Sequence, residues 1–142
     1  MADKILTDVN VCLDLLLDRR PFVETSGMVF EYAEGNHIEL FVSGISFDTL
    51  FYIMRPVMGG YRSIKVLREF RKHLRVAVVN ENVVDRALKA GWKDLEDALQ
   101  YYSALESGCE IILTRNKADF KKGSEGSLKL LTPEEFVENG FL

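Results

Sequence analysis

At 142 residues, with 47% hydrophobic and 28% charged residues, the chain has the size and composition of one globular domain, not of a disordered or fibrous protein. Its net charge of −4 argues against gripping nucleic acid by bulk basicity, but not against meeting phosphate through a divalent cation. No apolar run approaches the roughly 20 residues of a membrane helix, and no signal-peptide pattern opens the sequence, so a cytoplasmic location is expected.

Ile5 to Thr7 reads as a short buried strand ending at Asp8, followed by a densely apolar helix from Val9 to Leu17. Arg19-Arg20-Pro21 stops that helix, because proline disfavours helical backbone in the residue before it. Phe22 to Ala33 has apolar residues at helical spacing and ends at Gly35-Asn36. Ile38 to Val42 is the second strand. Phe47, Leu50, Phe51, Ile53 and Met54 then mark an apolar helix, and Gly59-Gly60 separates it from the next. That next helix has an apolar stripe (Ile64, Leu67, Leu74) and a basic one (Arg62, Lys65, Arg68, Lys72), either a solvated face or a set of RNA-backbone contacts.

Val76 to Val79 is a third strand, Glu81 to Ala90 a helix closed by Gly91, and Asp94 to Ser107 a longer helix closed by Gly108. Ile111 to Leu113 and Leu128 to Leu131 are the last strands, with Lys121 to Ser127 a loop between them. Pro133 to Glu138 is a final helix with proline in its first turn. Near-continuous apolar strands separated by helices indicate a parallel sheet covered on both faces. With no repeat or linker, the reading is one α/β domain over residues 1–142. Cys12 and Cys109 sit in apolar segments and read as buried packing residues; His37 and His73 are isolated and read as surface residues.

Acids recur just past apolar strands or in the first turn of a helix: Asp8, Asp94 and Asp97, Asp119, and more weakly Asp48. In a parallel α/β sheet the carboxyl ends of the strands share a crevice, so distant acids can meet there. Two carboxylates about 5 Å apart repel by roughly 3 kcal/mol at an effective dielectric near 20. A proton or a cation must offset that cost, which is the pattern of a metal site. Each acid also has a purely structural role open to it. Asp8 or Asn10 can cap the first helix; Asp94 with Asp97 resembles a capping box; Thr114 and Asn116 suit turn hydrogen bonds. Asp94 reads as the cap and Asp97 as the ligand, while Tyr101, one turn on, either lines the crevice or packs.

Thr7-Asp8-Val9-Asn10 with Arg20-Pro21-Phe22, Asp94-Leu95-Glu96-Asp97-Ala98-Leu99-Gln100-Tyr101-Tyr102, and Thr114-Arg115-Asn116 with Asp119-Phe120 together resemble a PIN domain, the metal-dependent nuclease fold of VapC-type toxins. The resemblance implies a three-layer α/β/α sandwich with a five-stranded parallel sheet of order 3-2-1-4-5. It implies an endoribonuclease, the toxin of a toxin–antitoxin pair, with Mg²⁺ or Mn²⁺ as cofactor, RNA as substrate, a small antitoxin as partner, and a homodimer. Carried over position by position, Asp8 matches the first catalytic and metal-holding acid, Asp97 the one on the long helix, and Asp119 or Asn116 the region of the last, with Asn10, Thr49, Asp94, Thr114 and Asn116 in supporting places. The departure is at the second acid. The family puts a glutamate before an apolar-aromatic triplet, and here Leu50-Phe51-Tyr52 is preceded by Thr49, with Asp48 one residue and about 100° of helix away. Two further readings stand beside this one. They are an inactive PIN scaffold that binds RNA or a protein partner, and, more weakly, a phosphoryl-accepting receiver domain, for which Asp8 lacks an acidic neighbour.

Overall fold

Asp-Lys-Ile-Leu-Thr forms β1 (Asp3–Thr7), whose last three residues are buried, as expected of a strand covered on both faces. The computed structural model describes residues 3–120 and 128–139. The chain continues through α1 (Val9–Leu16), α2 (Phe22–Glu34), β2 (Ile38–Ser43), α3 (Ser46–Met58), α4 (Gly60–Arg71), β3 (Arg75–Ala77), α5 (Glu81–Lys89), α6 (Leu95–Glu106), β4 (Ile111–Leu113), α7 (Lys117–Phe120), β5 (Lys129–Leu131) and α8 (Pro133–Glu138). All four strand pairings are parallel, and the order across the sheet is β3-β2-β1-β4-β5.

This order puts β1 in the middle, with Ile5, Leu6 and Thr7 level with Ile111, Ile112 and Leu113 of β4. Apolar side chains on the two sheet faces build two cores. Ile5, Leu13, Val29, Leu40, Leu50, Met54 and Phe136 belong to one, and Leu6, Phe41, Tyr101, Ala104, Ile112 and Phe120 to the other. Cys12 and Cys109 are buried in these cores as free thiols, while His37 and His73 lie exposed. Tyr101 packs: it is buried against Trp92 and Tyr102, with ring centroids 5.3 and 5.2 Å away.

Element boundaries follow local chemistry. Gly59, at φ 83°, supplies the left-handed backbone that ends α3 and opens α4. Thr132 and Glu135 form a reciprocal capping box on α8, with proline in its first turn. Two expectations shift. The third strand is Arg75–Ala77 and not Val76–Val79, because Val76 and Val78 sit exposed at the sheet edge, where their apolar character does not mark burial. A one-turn helix, α7, occupies Lys117–Phe120, where the sequence pattern marks no element. The loop expected at 121–127 lies outside the described residues. Among the described residues no helix is long and apolar enough to cross a membrane.

Candidate active site

β1 ends at Asp8, whose backbone N–H still bonds Leu113 O of β4 at 3.0 Å, so the sheet itself fixes where the carboxylate begins. Asp8 occupies the N-cap position of α1, yet its carboxylate makes no capping bond. It turns instead into the interior, where it is only 4% exposed. Thr114, the residue after β4, donates from Oγ1 to Asp8 Oδ2 at 2.8 Å. Gln100 of α6 donates from Nε2 to Asp8 Oδ1 at 3.1 Å. Both donors are fully buried and both are neutral. Burial is the larger influence and raises the Asp8 carboxyl above the usual carboxylate range; the bonds from Thr114 and Gln100 oppose it, and the Glu96 charge adds to the rise.

The N-terminus of α6 forms the second wall. Asp94 caps the helix, its Oδ1 accepting from Asp97 N at 3.2 Å. Asp97, half-buried in the first turn, lines the cleft. Its carboxyl is pushed up to about 7, first by burial and then by the charges of Asp94, Asp8, Asp119 and Glu96. Asp97 and Asp119 line one cleft of about 240 Å³ with Trp92, Lys93, Asp94 and Ala118. Trp92 forms the apolar end of that cleft, its ring held against Tyr101 and Phe120.

The expected site residues thus divide. Asp8 and Thr114 are buried and bonded to each other; Asp94, Asp97 and Asp119 line the cleft, which Asp8 does not. Asn116 is exposed and orders the α7 turn: its N–H bonds Thr114 Oγ1 at 3.0 Å and its carbonyl accepts from Asp119 N at 3.0 Å. Asn10 is half-buried in the first turn of α1. Asp48 belongs elsewhere, exposed on the α3–α4 groove with Phe47, Phe51 and Arg68, which removes it as a crevice acid. Thr49, the next residue along the helix, does face α6, and its Oγ1 donates to Glu96 Oε2.

Two contributors were not legible as site residues, Gln100 and Glu96. Gln100 is three residues past Asp97 and so shares its helix face, which was the available signal. Arg115, adjacent to Thr114, pairs with the fully buried Asp14 at 2.9 Å, and its guanidinium lies 3.8 Å from the Phe22 ring centroid. Among the described residues no ion pair engages Asp8, Glu96, Asp97 or Asp119.

Asp8 and Asp97, whose proton affinity is raised by burial and by the neighbouring acids, together with Glu96 and Asp119 and with no lysine or arginine paired to them among the described residues, form a hard-oxygen donor set suited to a divalent cation. Gln100 Oε1, buried without a hydrogen-bond partner beside Asp8, is a further oxygen of the same kind. Among the described residues no three acid, histidine or cysteine side chains converge on one point, so the set does not form a closed cage. It fits Mg²⁺ or Mn²⁺ held by one or two carboxylates with water completing the shell.

A parallel sheet of order 3-2-1-4-5 with acids gathered past β1 and β4 and at the head of α6 defines an α/β protein of the acidic-crevice class. Residues 4–118 match the family model described as PIN domain. The chain belongs to the PIN domain family. It is similar to Ribonuclease VapC1 of Aquifex aeolicus (strain VF5), 26% identical over 142 residues, or 96% of this chain and 95% of that protein. Two solved structures share the fold. One is VapBC-1 from nontypeable Haemophilus influenzae, at 15% identity and TM-score 0.70, spanning 92% of this chain and 98% of that one. The other is VapBC2 from Rickettsia felis bound to a DNA fragment from their promoter, at 13% identity and TM-score 0.66, spanning 89% of this chain and 98% of that one.

Proposed function

We propose that the protein is a Mg²⁺- or Mn²⁺-dependent endoribonuclease, the toxin of a toxin–antitoxin pair. The observation that carries this is the buried Asp8 carboxylate, held by two neutral donors, within electrostatic reach of Asp97 and Glu96, and with no basic partner among the described residues. Similarity to a ribonuclease over 96% of the chain supports the choice of RNA as substrate.

A bound Mg²⁺ or Mn²⁺ supplies Lewis acidity and charge neutralisation at the scissile phosphate and lowers the pKa of water. The chain's own residues prepare for it. Thr114 and Gln100 fix both Asp8 oxygens, so the carboxylate needs no reorientation on binding. Asp94 caps α6 and leaves Asp97 directed at the cleft; α7, ordered by Asn116, carries Asp119 to the opposite wall. A phosphate brought to about 4 Å from any one of these carboxylates meets roughly 4 kcal/mol of repulsion at an effective dielectric near 20. RNA binding at the crevice therefore depends on the cation. Measuring RNA affinity and cleavage with and without Mn²⁺ tests this, and equal affinity in both conditions contradicts it.

The family relationship to VapBC assemblies supports a small antitoxin as partner. An open apolar groove of about 520 Å³ between α3 and α4, lined by Phe47, Phe51, Ile64 and Leu67 and edged by Arg68 and Arg71, offers a surface for a partner chain. A second reading, a PIN scaffold that binds RNA or protein without cleaving it, is favoured by one observation: Thr49 stands where the family places an acid. Absence of cleavage in Mn²⁺ together with absence of Mn²⁺ binding by calorimetry selects that reading.

A further inference from the structure

We infer that Glu96, reaching from α6 to Thr49 on α3, provides the carboxylate that α3 itself does not, so that the crevice holds a full set of acids with one supplied from the opposite helix. This inference rests on the ribonuclease reading and concerns which residue completes that site.

The geometry begins with α6. Glu96 and Asp97 are neighbours in the first turn, about 100° apart around the helix, so they leave it in different directions. Asp97 faces the cleft with Asp119, and Glu96 faces α3. Thr49 is in the first turns of α3, and its hydroxyl donates to Glu96 Oε2, a contact spanning 47 residues. A hydroxyl donor fixes a carboxylate in place without neutralising it. A glutamate at position 49 would repel Glu96 from the same space. Threonine at 49 and glutamate at 96 therefore form a compatible pair that puts one negative charge beside α3.

That charge lies on the Asp8 side of α6, since Glu96 is one turn before Gln100 on the same helix face and Gln100 Nε2 bonds Asp8 Oδ1 at 3.1 Å. Glu96 is half-buried and makes no ion pair among the described residues, so its carboxylate is not committed to a lysine or arginine. Independently, Gln100, one turn further along α6 and fully buried, holds an oxygen with no partner next to Asp8. Ala98 and Leu99 bury the apolar side of this end of α6, and Leu95, between Asp94 and Glu96, is 48% exposed.

The test is a swap of the acid between helices, read by Mn²⁺ calorimetry on the whole chain. Glu96→Gln is expected to weaken Mn²⁺ affinity by about 10–100-fold. Adding Thr49→Glu in the Glu96→Gln background is expected to restore most of it, because the carboxylate returns from the α3 side. Both positions are partly exposed, and metal-free melting curves of each variant verify folding. Asp8→Asn is the reference for the site as a whole. If Asp8→Asn removes binding and Glu96→Gln leaves it unchanged, the Glu96 inference fails while the ribonuclease reading stands. A loss in Glu96→Gln that Thr49→Glu does not restore also overturns the inference, since a carboxylate on the α3 side then does not stand in for Glu96. Absence of Mn²⁺ binding by the unaltered protein overturns both.

Discussion

Thr114 Oγ1 donates to Asp8 Oδ2 at 2.8 Å, joining the ends of two adjacent strands across 106 residues of sequence. The same hydroxyl accepts from Asn116 N, so one threonine orients the buried acid and begins the turn that carries Asp119. Thr114→Val keeps the shape and removes both bonds. It is expected to lower Mn²⁺-dependent cleavage by about 10–100-fold and to cost about 1–3 kcal/mol of stability. Cleavage assays and urea unfolding measure the two effects, and unchanged cleavage would show that Asp8 needs no such positioning.

Asp8→Asn separates activity from stability. Cleavage is expected to fall by at least about 100-fold, because a ligand oxygen and its charge are lost. The metal-free protein is expected to gain about 1–3 kcal/mol at pH 7.5, since a buried carboxylate without a counter-charge becomes a neutral amide. Thr114 and Gln100 can each reverse donor and acceptor to suit it. A destabilised variant with retained cleavage contradicts both halves.

Asp97 sets a pH dependence. Its carboxyl rises from 3.8 to about 7 in the fold, so the folded state binds more protons than the unfolded state between those values. Stability of the metal-free protein therefore falls as pH rises through that window and levels off above it. Asp8, also raised, acts in the same sense. Glu69 and Glu135 are held low by Lys72 and Lys117, and their contribution is lost only as pH drops toward the bottom of the range. Melting in EDTA is expected to give a lower Tm at pH 7.5 than at pH 5.5, with the difference reduced in Asp97→Asn. Equal Tm values would remove the electrostatic conflict from the site.

Arg115 anchors the strand end that Thr114 belongs to. Its guanidinium pairs with Asp14 at 2.9 Å, and Ser26 donates to the other Asp14 oxygen at 3.1 Å. Arg115→Ala leaves Asp14, fully buried, without its counter-charge and is expected to cost about 3–5 kcal/mol. Replacing Asp14 and Arg115 together by apolar residues is expected to cost far less. Urea denaturation distinguishes the two, and a loss below about 1 kcal/mol for Arg115→Ala would mean the pair is solvated.

The sheet was legible because its strands are short apolar runs, and Asp97 and Asp119 drew notice in the sequence because each stands past such a run or in the first turn of a helix; the structure has them line one cleft. The remainder depended on directions that spacing does not encode. Gln100 and Arg115 stand inside motifs visible in the sequence, but their partners are 92 and 101 residues away, Asp8 for one and Asp14 for the other. Glu96 was hidden by its neighbour Asp97, which occupies the obvious helix face. Asp48 illustrates the converse: it is an acid at nearly the right place, turned by one residue onto the wrong side of α3. Helix α7 is a single turn, too short for any periodicity to register.

The most direct measurement is a crystal structure of the protein soaked in Mn²⁺, with anomalous difference density calculated at the manganese edge. The expected result is a peak about 2.1 Å from a carboxylate oxygen of Asp8 or Asp97, with Glu96 and Asp119 facing its water shell. An empty crevice at millimolar Mn²⁺, or a peak confined to surface acids away from Asp8, would contradict the proposal that a cation makes this cluster of charges tolerable.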